Sequence, residues 1–369
     1  YCEYVPYSVL KKQFELTPFL PQTVSDKYWM KKIMHLGGGT TFFEQSSIKS
    51  ALLSIKETIE NNEFGGNVYS FFKTSSDPIQ ISTSDQLLNL INSGVSMITF
   101  FGHSGTGTFD FAIENPNKFT NYGKYHIVNS LGCYSGNIHT TGSSISESFV
   151  LEKGKGAIAF IASSGTAFIS DLSNYSKKFY TYLGEKDANY TIGQIVELVN
   201  KYYDLDTLEG VTSLYQQLTF HGDPAIKLYK DDLPDYTFDE SSIKINEDII
   251  TTNTQNIEFT GNIVNLGANI HENVFIKTEL ILPDGTTHQT RYDTLYMSQS
   301  KIPFSFSLTL AGEKSSGINK IRSTIDFDNV INEGPKPAAD DNNELAINGS
   351  LGFDFFVSNN DVRPVFPDN

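Results

Sequence analysis

Val95-Ser96-Met97-Ile98-Thr99-Phe100-Phe101 is an apolar run of strand length that stops at Gly102-His103, and Tyr125-His126-Ile127-Val128-Asn129-Ser130-Leu131 is another that stops at Gly132-Cys133. Short continuous apolar runs of this kind suit strands covered on both faces, in the middle of a parallel sheet. The two end groups lie 133 − 103 = 30 residues apart, about the span of one strand–connection–strand unit, so the strands read as neighbours. Parallel sheets gather ligands outside the carboxyl ends of their strands. A histidine and a cysteine at adjoining tips therefore face one crevice.

Outward from this pair the chain keeps alternating strand and helix patterns. Tyr28 to Leu36 reads as a strand running into Gly37-Gly38-Gly39, and Ser47 to Ile59 carries Ile48, Leu52, Ile55 and Ile59 at helical spacing. Asn67 to Phe72 is a second strand, followed by a helix opened by a Thr83/Gln86 capping box, with Leu87, Leu88, Leu90 and Ile91 on its apolar face. After Cys133 come a helix opened by Ser144/Glu147, the strand Gly156 to Ala162, a helix over Leu172 to Leu183, and one opened by Thr191/Gln194. A last strand is expected over Ala225 to Leu228. The class is α/β, a mostly parallel sheet flanked by helices.

Beyond Asp231-Asp232-Leu233-Pro234 helical spacing gives way to short alternating runs such as Ile257 to Ile263. Phe275 to Leu282 and Thr286 to Tyr292 flank Pro283-Asp284-Gly285, a strong hairpin signal because glycine accepts positive φ. With Ile302 to Leu310, Lys320 to Phe327 and a closing strand over Leu345 to Val357, the pattern predicts an all-β, immunoglobulin-like sandwich of about seven strands. The expected domains are residues 1–232, 233–357 and a tail or linker at 358–369. Both chain ends read as interior to a longer protein.

The composition narrows the function classes. With 27 basic and 43 acidic residues the formal charge is −16, which disfavours nucleic acid or anionic lipid as partner. No apolar run reaches the ~20 residues of a membrane-spanning helix. Two cysteines, Cys2 and Cys133, exclude a disulfide-dense scaffold, and whether they pair is a question of geometry that spacing does not answer. His35, His126, His139 and His221 lack the spacing of a metal site. No cofactor or catalytic metal is expected, and a structural calcium ion, though compatible with the sequence, is not called for.

Cysteine works as a nucleophile in its thiolate form, so it needs an imidazole to take the proton. His103 is placed to serve Cys133 in that way and then to protonate a leaving amine. Carbonyl attack also develops an oxyanion, best held by backbone amides beside glycine; those of Ser104 and Cys133 are the candidates. Phe109 and Asp110, in the loop after the histidine, are candidates for a substrate pocket. Asp223, before Pro224, reads as a turn organiser rather than a reactive group.

Phe100 to Gly105 (FFGHSG), Asn129 to Gly136 (NSLGCYSG) and Phe220 to Ala225 (FHGDPA) together resemble the gingipain family of caspase-clan cysteine peptidases, over roughly Tyr28 to Tyr229. The resemblance implies a caspase-like sheet, a dyad of His103 and Cys133, cleavage or sortase-like transfer at peptide bonds, and a β-sandwich after the catalytic domain. It also implies a secreted or bacterial cell-surface location by the type IX route, with protein or peptide substrates and room for secretion-machinery partners. The turn His35-Leu36-Gly37-Gly38-Gly39 departs from the pattern, since some relatives carry there a carboxylate that orients the histidine; on the resemblance, Glu44, the nearest acid, is the candidate to orient His103. That departure keeps open a second reading, an inactive peptidase fold used as a binding platform. A third, a glycan-binding protein, would need an aromatic strip that Tyr292 and Tyr296 do not make.

Overall fold

A computed structural model describes residues 27–76, 84–111, 113, 115–139, 142–185, 188–204, 214, 216–228, 232–334 and 342–359. Cys2, the Thr83 cap and the tail from residue 360 lie outside them. The chain divides into two compact units, Tyr1–Lys230 and Asp231–Asn369.

The first unit runs β1 (Lys32–Gly37), α1 (Phe42–Asn61), β2 (Asn67–Phe72), α2 (Ser84–Ser93) and β3 (Met97–Phe101). A small ribbon of β4 (Ser104–Gly105) and β5 (Thr108–Phe109) leads to β6 (His126–Leu131), α3 (Ile145–Leu151) and β7 (Ala157–Ser163). Helices α4 (Ile169–Leu183) and α5 (Ile192–Asp204) precede β8 (Leu218–Gly222). The sheet order is β2-β1-β3-β6-β7-β8, parallel throughout except that β8 runs antiparallel to β7.

Every residue of β3, β6 and β7 is buried, as their unbroken apolar character predicts for central strands. Ile48, Leu52, Ile55 and Ile59 of α1, and Leu172, Tyr175, Phe179 and Leu183 of α4, bury their faces in the same core. Each such side chain contributes about 1.5–3 kcal/mol by leaving water. The Ser144/Glu147 and Thr191/Gln194 boxes both form and start α3 and α5.

Some elements differ from the sequence pattern. Strand β1 starts at Lys32 because Trp29–Lys31 is a 3₁₀ turn, fixed by the buried Lys31 ammonium donating to Phe64 O at 2.5 Å. Helix α1 starts five residues before Ser47, at a capping box of Thr41 and Glu44. The expected strand over Ala225 to Leu228 is replaced by β8 at Leu218–Gly222. Gly222, at φ 131°, turns the chain out of the sheet, and Asp223 accepts the Ala225 amide at 2.8 Å, closing a turn around Pro224. The stretch after it instead caps α5, with Ile192 N donating to Ile226 O and Gly193 N to Pro224 O.

The second unit contains β9 (Tyr236–Phe238), β10 (Lys244–Ile245), β11 (Asn256–Asn265), β12 (Asn273–Ile281), β13 (Thr287–Tyr296), β14 (Lys301–Thr309) and β15 (Gly317–Ile325). One antiparallel sheet has the order β10-β11-β14, with β9 also on β11. The predicted closing strand over Leu345 to Val357 is instead a ribbon, β16 (Ala346–Ile347) and β17 (Ser350–Leu351), followed by β18 (Phe353–Val357). Asn348 and Gly349, at φ 50° and 79°, make the tight turn that divides it. The other sheet is β13-β12-β15-β18. Phe259, Phe304 and Phe306 of the first sheet share one core with Val274, Ile276, Ile321 and Val357 of the second, which makes the unit a β-sandwich.

Candidate active site

The register of the sheet places the two groups singled out first. Phe101 at the end of β3 is paired with Leu131 at the end of β6, so His103 and Cys133 each stand two residues past a matched pair. The tips are laced together: Gly102 N donates to Leu131 O at 3.3 Å, and Ser104 Oγ donates to Cys133 O at 2.6 Å. A Cβ on Gly132 would sit 2.2 Å from that Oγ, which is why the residue before Cys133 has no side chain.

Past Cys133 the chain makes a tight bend through Tyr134, whose φ of 58° is uncommon for a residue with a side chain. The bend is held by Tyr134 N to Gly165 O, Gly136 N to Ser163 O, and a buried Ser130–Ser135 hydroxyl pair at 2.7 Å. Ser163 ends β7 and Gly165 lies in the turn after it. The same turn carries Ala167, whose amide donates to Cys133 Sγ at 3.5 Å while its carbonyl lies 3.7 Å from the sulfur. The thiol is half-buried and its sulfur is free rather than paired in a disulfide.

His103 is exposed and its Nε2 lies 3.3 Å from Glu44 Oε2. Glu44 reaches it from the first turn of α1, at the tip of β1. Its Oε2 also accepts the amides of Thr40 and Thr41 at 3.0 Å and the Thr40 hydroxyl at 2.9 Å. Burial by itself would raise the Glu44 pKa; the Thr40 and Thr41 donors and the His103 ring outweigh it and bring it to about 2. The carboxylate is therefore ionised and accepts only, so the hydrogen between the two side chains belongs to His103 Nε2. No hydrogen bond joins these two described side chains, His103 and Cys133, to each other.

The amides proposed for an oxyanion are differently placed. Asp110 N donates to His103 O at 2.9 Å, which makes Ser104 and Phe109 a non-hydrogen-bonded pair of the ribbon, so the Ser104 amide points away from its partner strand. The Cys133 amide lies beyond the end of β6 and finds no acceptor among the described residues.

Phe109 and Asp110 lie in the interior rather than along an open pocket. Phe109 is 3% exposed and packs on Phe100 with ring centroids 4.2 Å apart. Asp110 is 6% exposed, accepts the Gly39 amide at 2.7 Å, and lies 3.8 Å from the buried Lys73 ammonium. Burial pushes its carboxyl up, against the Gly39 bond and the Lys73 and His103 charges. In this arrangement neither side chain is open to a substrate.

Sequence reading passed over Lys73 and Ala167. Ala167 acts through its backbone, which leaves no mark on a sequence, and Lys73 is a lone cation after a strand. The box that seats Glu44 did leave one, Thr41-Phe42-Phe43-Glu44, but two exposed phenylalanines inside it break the amphipathic pattern of the helix start. Among the described residues no group of three or more His, Cys, Asp or Glu is arranged to hold a metal ion, and no helix is long and apolar enough to cross a membrane.

A model of peptidase family C25 matches residues 10–229. Similar solved structures include the Arg-specific cysteine proteinase gingipain R, at 12% identity and TM-score 0.49, covering 95% of this chain and 72% of that one. The complex of the pro- and mature domains of RgpB from Porphyromonas gingivalis is similar at 12% identity and TM-score 0.48, over 94% of this chain and 73% of that one. A structure described as a protease matches at 14% identity and TM-score 0.49, over 86% and 68%. No curated protein matches the sequence.

Proposed function

We propose, from the premise that this chain belongs to peptidase family C25 and is a gingipain-family cysteine peptidase, that it cuts or transfers peptide bonds with Cys133 as nucleophile, His103 as base and Glu44 as the group that orients the imidazole. The observation that carries the reading is the matched placement of His103 and Cys133 two residues past the Phe101–Leu131 pair, with an ionised carboxylate on Nε2 of the ring.

In this mechanism a substrate carbonyl settles between the two strand tips. Nδ1 of His103 takes the thiol proton as Sγ attacks the carbonyl carbon, while Glu44 stabilises the imidazolium that forms. The Ala167 amide already donates to the sulfur and serves it as negative charge gathers there. The oxyanion is held by the amides of Ser104 and Cys133. Collapse of the intermediate breaks the C–N bond, Nδ1 hands its proton to the departing amine, and a thioester remains on Cys133. Water or the amine of a second chain then attacks that thioester, giving hydrolysis or sortase-like transfer.

The substrates are secreted or surface proteins, with the chain itself at a bacterial surface and in reach of secretion-machinery partners. The second unit is read as an immunoglobulin-like spacer that carries the catalytic unit. These assignments rest on the family and on the sandwich architecture.

The test is covalent labelling. A peptidyl electrophile should modify Cys133, and His103→Ala should abolish that modification. Cys133→Ala should end turnover on a peptide library while leaving stability within about 1 kcal/mol, since only a small side chain is removed. Undiminished turnover by the Cys133→Ala protein refutes the proposal.

A further inference from the structure

We infer, on the reading of His103 and Cys133 just given, that the buried Asp110–Lys73 pair is a positioning device: it clamps the Gly38-Gly39 turn that leads to Glu44 against the loop that carries His103, and so holds the imidazole in one orientation. The two loops leave the tips of neighbouring strands, β1 and β3, where Gly38 N donates to Phe101 O at 2.7 Å; beyond that backbone bond, side chains join them.

The contacts form a closed circuit that begins and ends at one residue. His103 O accepts the Asp110 amide at 2.9 Å. The Asp110 side chain crosses to the other loop, where Oδ2 accepts the Gly39 amide at 2.7 Å. The next two amides, Thr40 and Thr41, donate to Glu44 Oε2 at 3.0 Å, and that oxygen lies 3.3 Å from His103 Nε2. Backbone and ring of His103 are thus held from two sides, by Asp110 on one loop and Glu44 on the other. Lys73 follows the end of β2, its amide bonded to Gly37 O, and supplies the counter-charge from a side chain with no exposure.

The fit is tight enough to dictate neighbouring residues. A Cβ on Gly38 would sit 2.1 Å from Asp110 Oδ1, and one on Gly102, next to His103, 2.5 Å from it. Both glycines leave room for this carboxylate, whose Oδ1 is buried without a hydrogen-bond partner. A buried ion pair contributes little net stability compared with an apolar pair of the same shape. What an apolar pair could not supply is the acceptor for Gly39 N, and hence the tie between the loops beyond the Gly38–Phe101 backbone bond.

Alkylation of Cys133 by iodoacetamide reads the positioning without any substrate subsite. In the parent protein the rate should fall at least tenfold on His103→Ala, which verifies the dyad itself. Asp110→Asn with Lys73→Met keeps an acceptor for the Gly39 amide and leaves no lone buried charge; its rate should stay within about threefold of the parent. Asp110→Val with Lys73→Met keeps the packing but loses the acceptor, and should fold yet alkylate at least tenfold more slowly.

A purely structural pair would move the two double variants together, so equal parental rates in both overturn the inference. Should the Val/Met protein fail to fold, Gly38→Ala decides: its new methyl displaces the carboxylate without changing charge, and a folded Gly38→Ala protein at the parental rate is equally fatal. A parental rate that ignores His103→Ala removes the dyad reading, and this inference with it.

Discussion

Ser104 Oγ donates to the carbonyl oxygen of Cys133 at 2.6 Å, tying the loop that bears the imidazole to the loop that bears the thiol. The bond is short because Gly132 lets the two backbones approach. Ser104→Ala should therefore loosen the spacing between base and nucleophile and lower kcat/KM about tenfold, equivalent to about 1.4 kcal/mol of transition-state stabilisation. Gly132→Ala, whose methyl would meet the same oxygen at 2.2 Å, should be worse than Ser104→Ala, and combining the two should recover part of the loss. Steady-state kinetics on one peptide substrate measures all three.

Glu44 serves the helix as well as the histidine. Glu44→Gln keeps an acceptor but removes the charge that stabilises an imidazolium, so kcat/KM should drop between about ten- and a hundredfold, with the loss chiefly in kcat. With its pKa lowered from 4.5 to about 2, the folded carboxylate gives stability that is complete above pH 4.5 and is lost as pH falls towards 2. Acid titration followed by circular dichroism should show less sensitivity over that window in the Gln variant.

His35 lies in the interior of the catalytic unit, its Nε2 3.1 Å from the Tyr180 hydroxyl. Burial first, and the Lys56 charge second, lower its pKa from 6.5 to about 3. The native state refuses a proton that the unfolded chain accepts, so stability present above pH 6.5 is lost as pH falls towards 3. At pH 4.5 the loss should be about 2–3 kcal/mol. Urea unfolding of His35→Leu should show a flatter dependence on pH from 6.5 to 4.5, whatever its stability at neutrality.

Glu333 behaves in the opposite sense. It is 4% exposed in the sandwich, and burial, aided by the charges of Asp235 and Asp326, pushes it up to about 8 against the Asn343 and Tyr236 donors. The unfolded carboxyl ionises near 4.5, so stability present below that pH falls as pH rises to about 8. Glu333→Gln should stabilise the second unit by about 1–3 kcal/mol at pH 8 and not at pH 4. Calorimetry at the two pH values checks it.

Strand and helix existence was readable wherever apolar spacing was long and regular, as over Ile48 to Ile59 or Ala157 to Ala162. It failed where a local polar contact decided the outcome. The buried Lys31 ammonium turned part of a strand pattern into a 3₁₀ turn, and Asn348-Gly349 folded the expected closing strand back on itself, although that dipeptide is itself a hairpin signal. The glycines before His103 and Cys133 pointed to strand tips. The contacts that order those tips, Ala167 on sulfur and Asp110 on Gly39, pass through backbone amides and a buried pair, and no spacing rule reaches either. The loop position of Asp110 points to a substrate crevice, while the Gly39 amide and the Lys73 ammonium hold its carboxylate in the interior.

The β3–β6 pairing makes the sheet a ruler for the chemistry. Neighbouring strands keep a spacing of about 4.8 Å, and the reactive atoms are read off at equal counts beyond one rung of that ladder. On the proposed dyad, a residue inserted in either Gly-His or Gly-Cys should shift one mark against the other and end turnover without disturbing the core. The bends that follow are pinned as well, by Tyr134 and Gly136 on the end of β7 and the turn after it and by Asp110 on Gly39, so the two-residue offset is held on both sides of the rung.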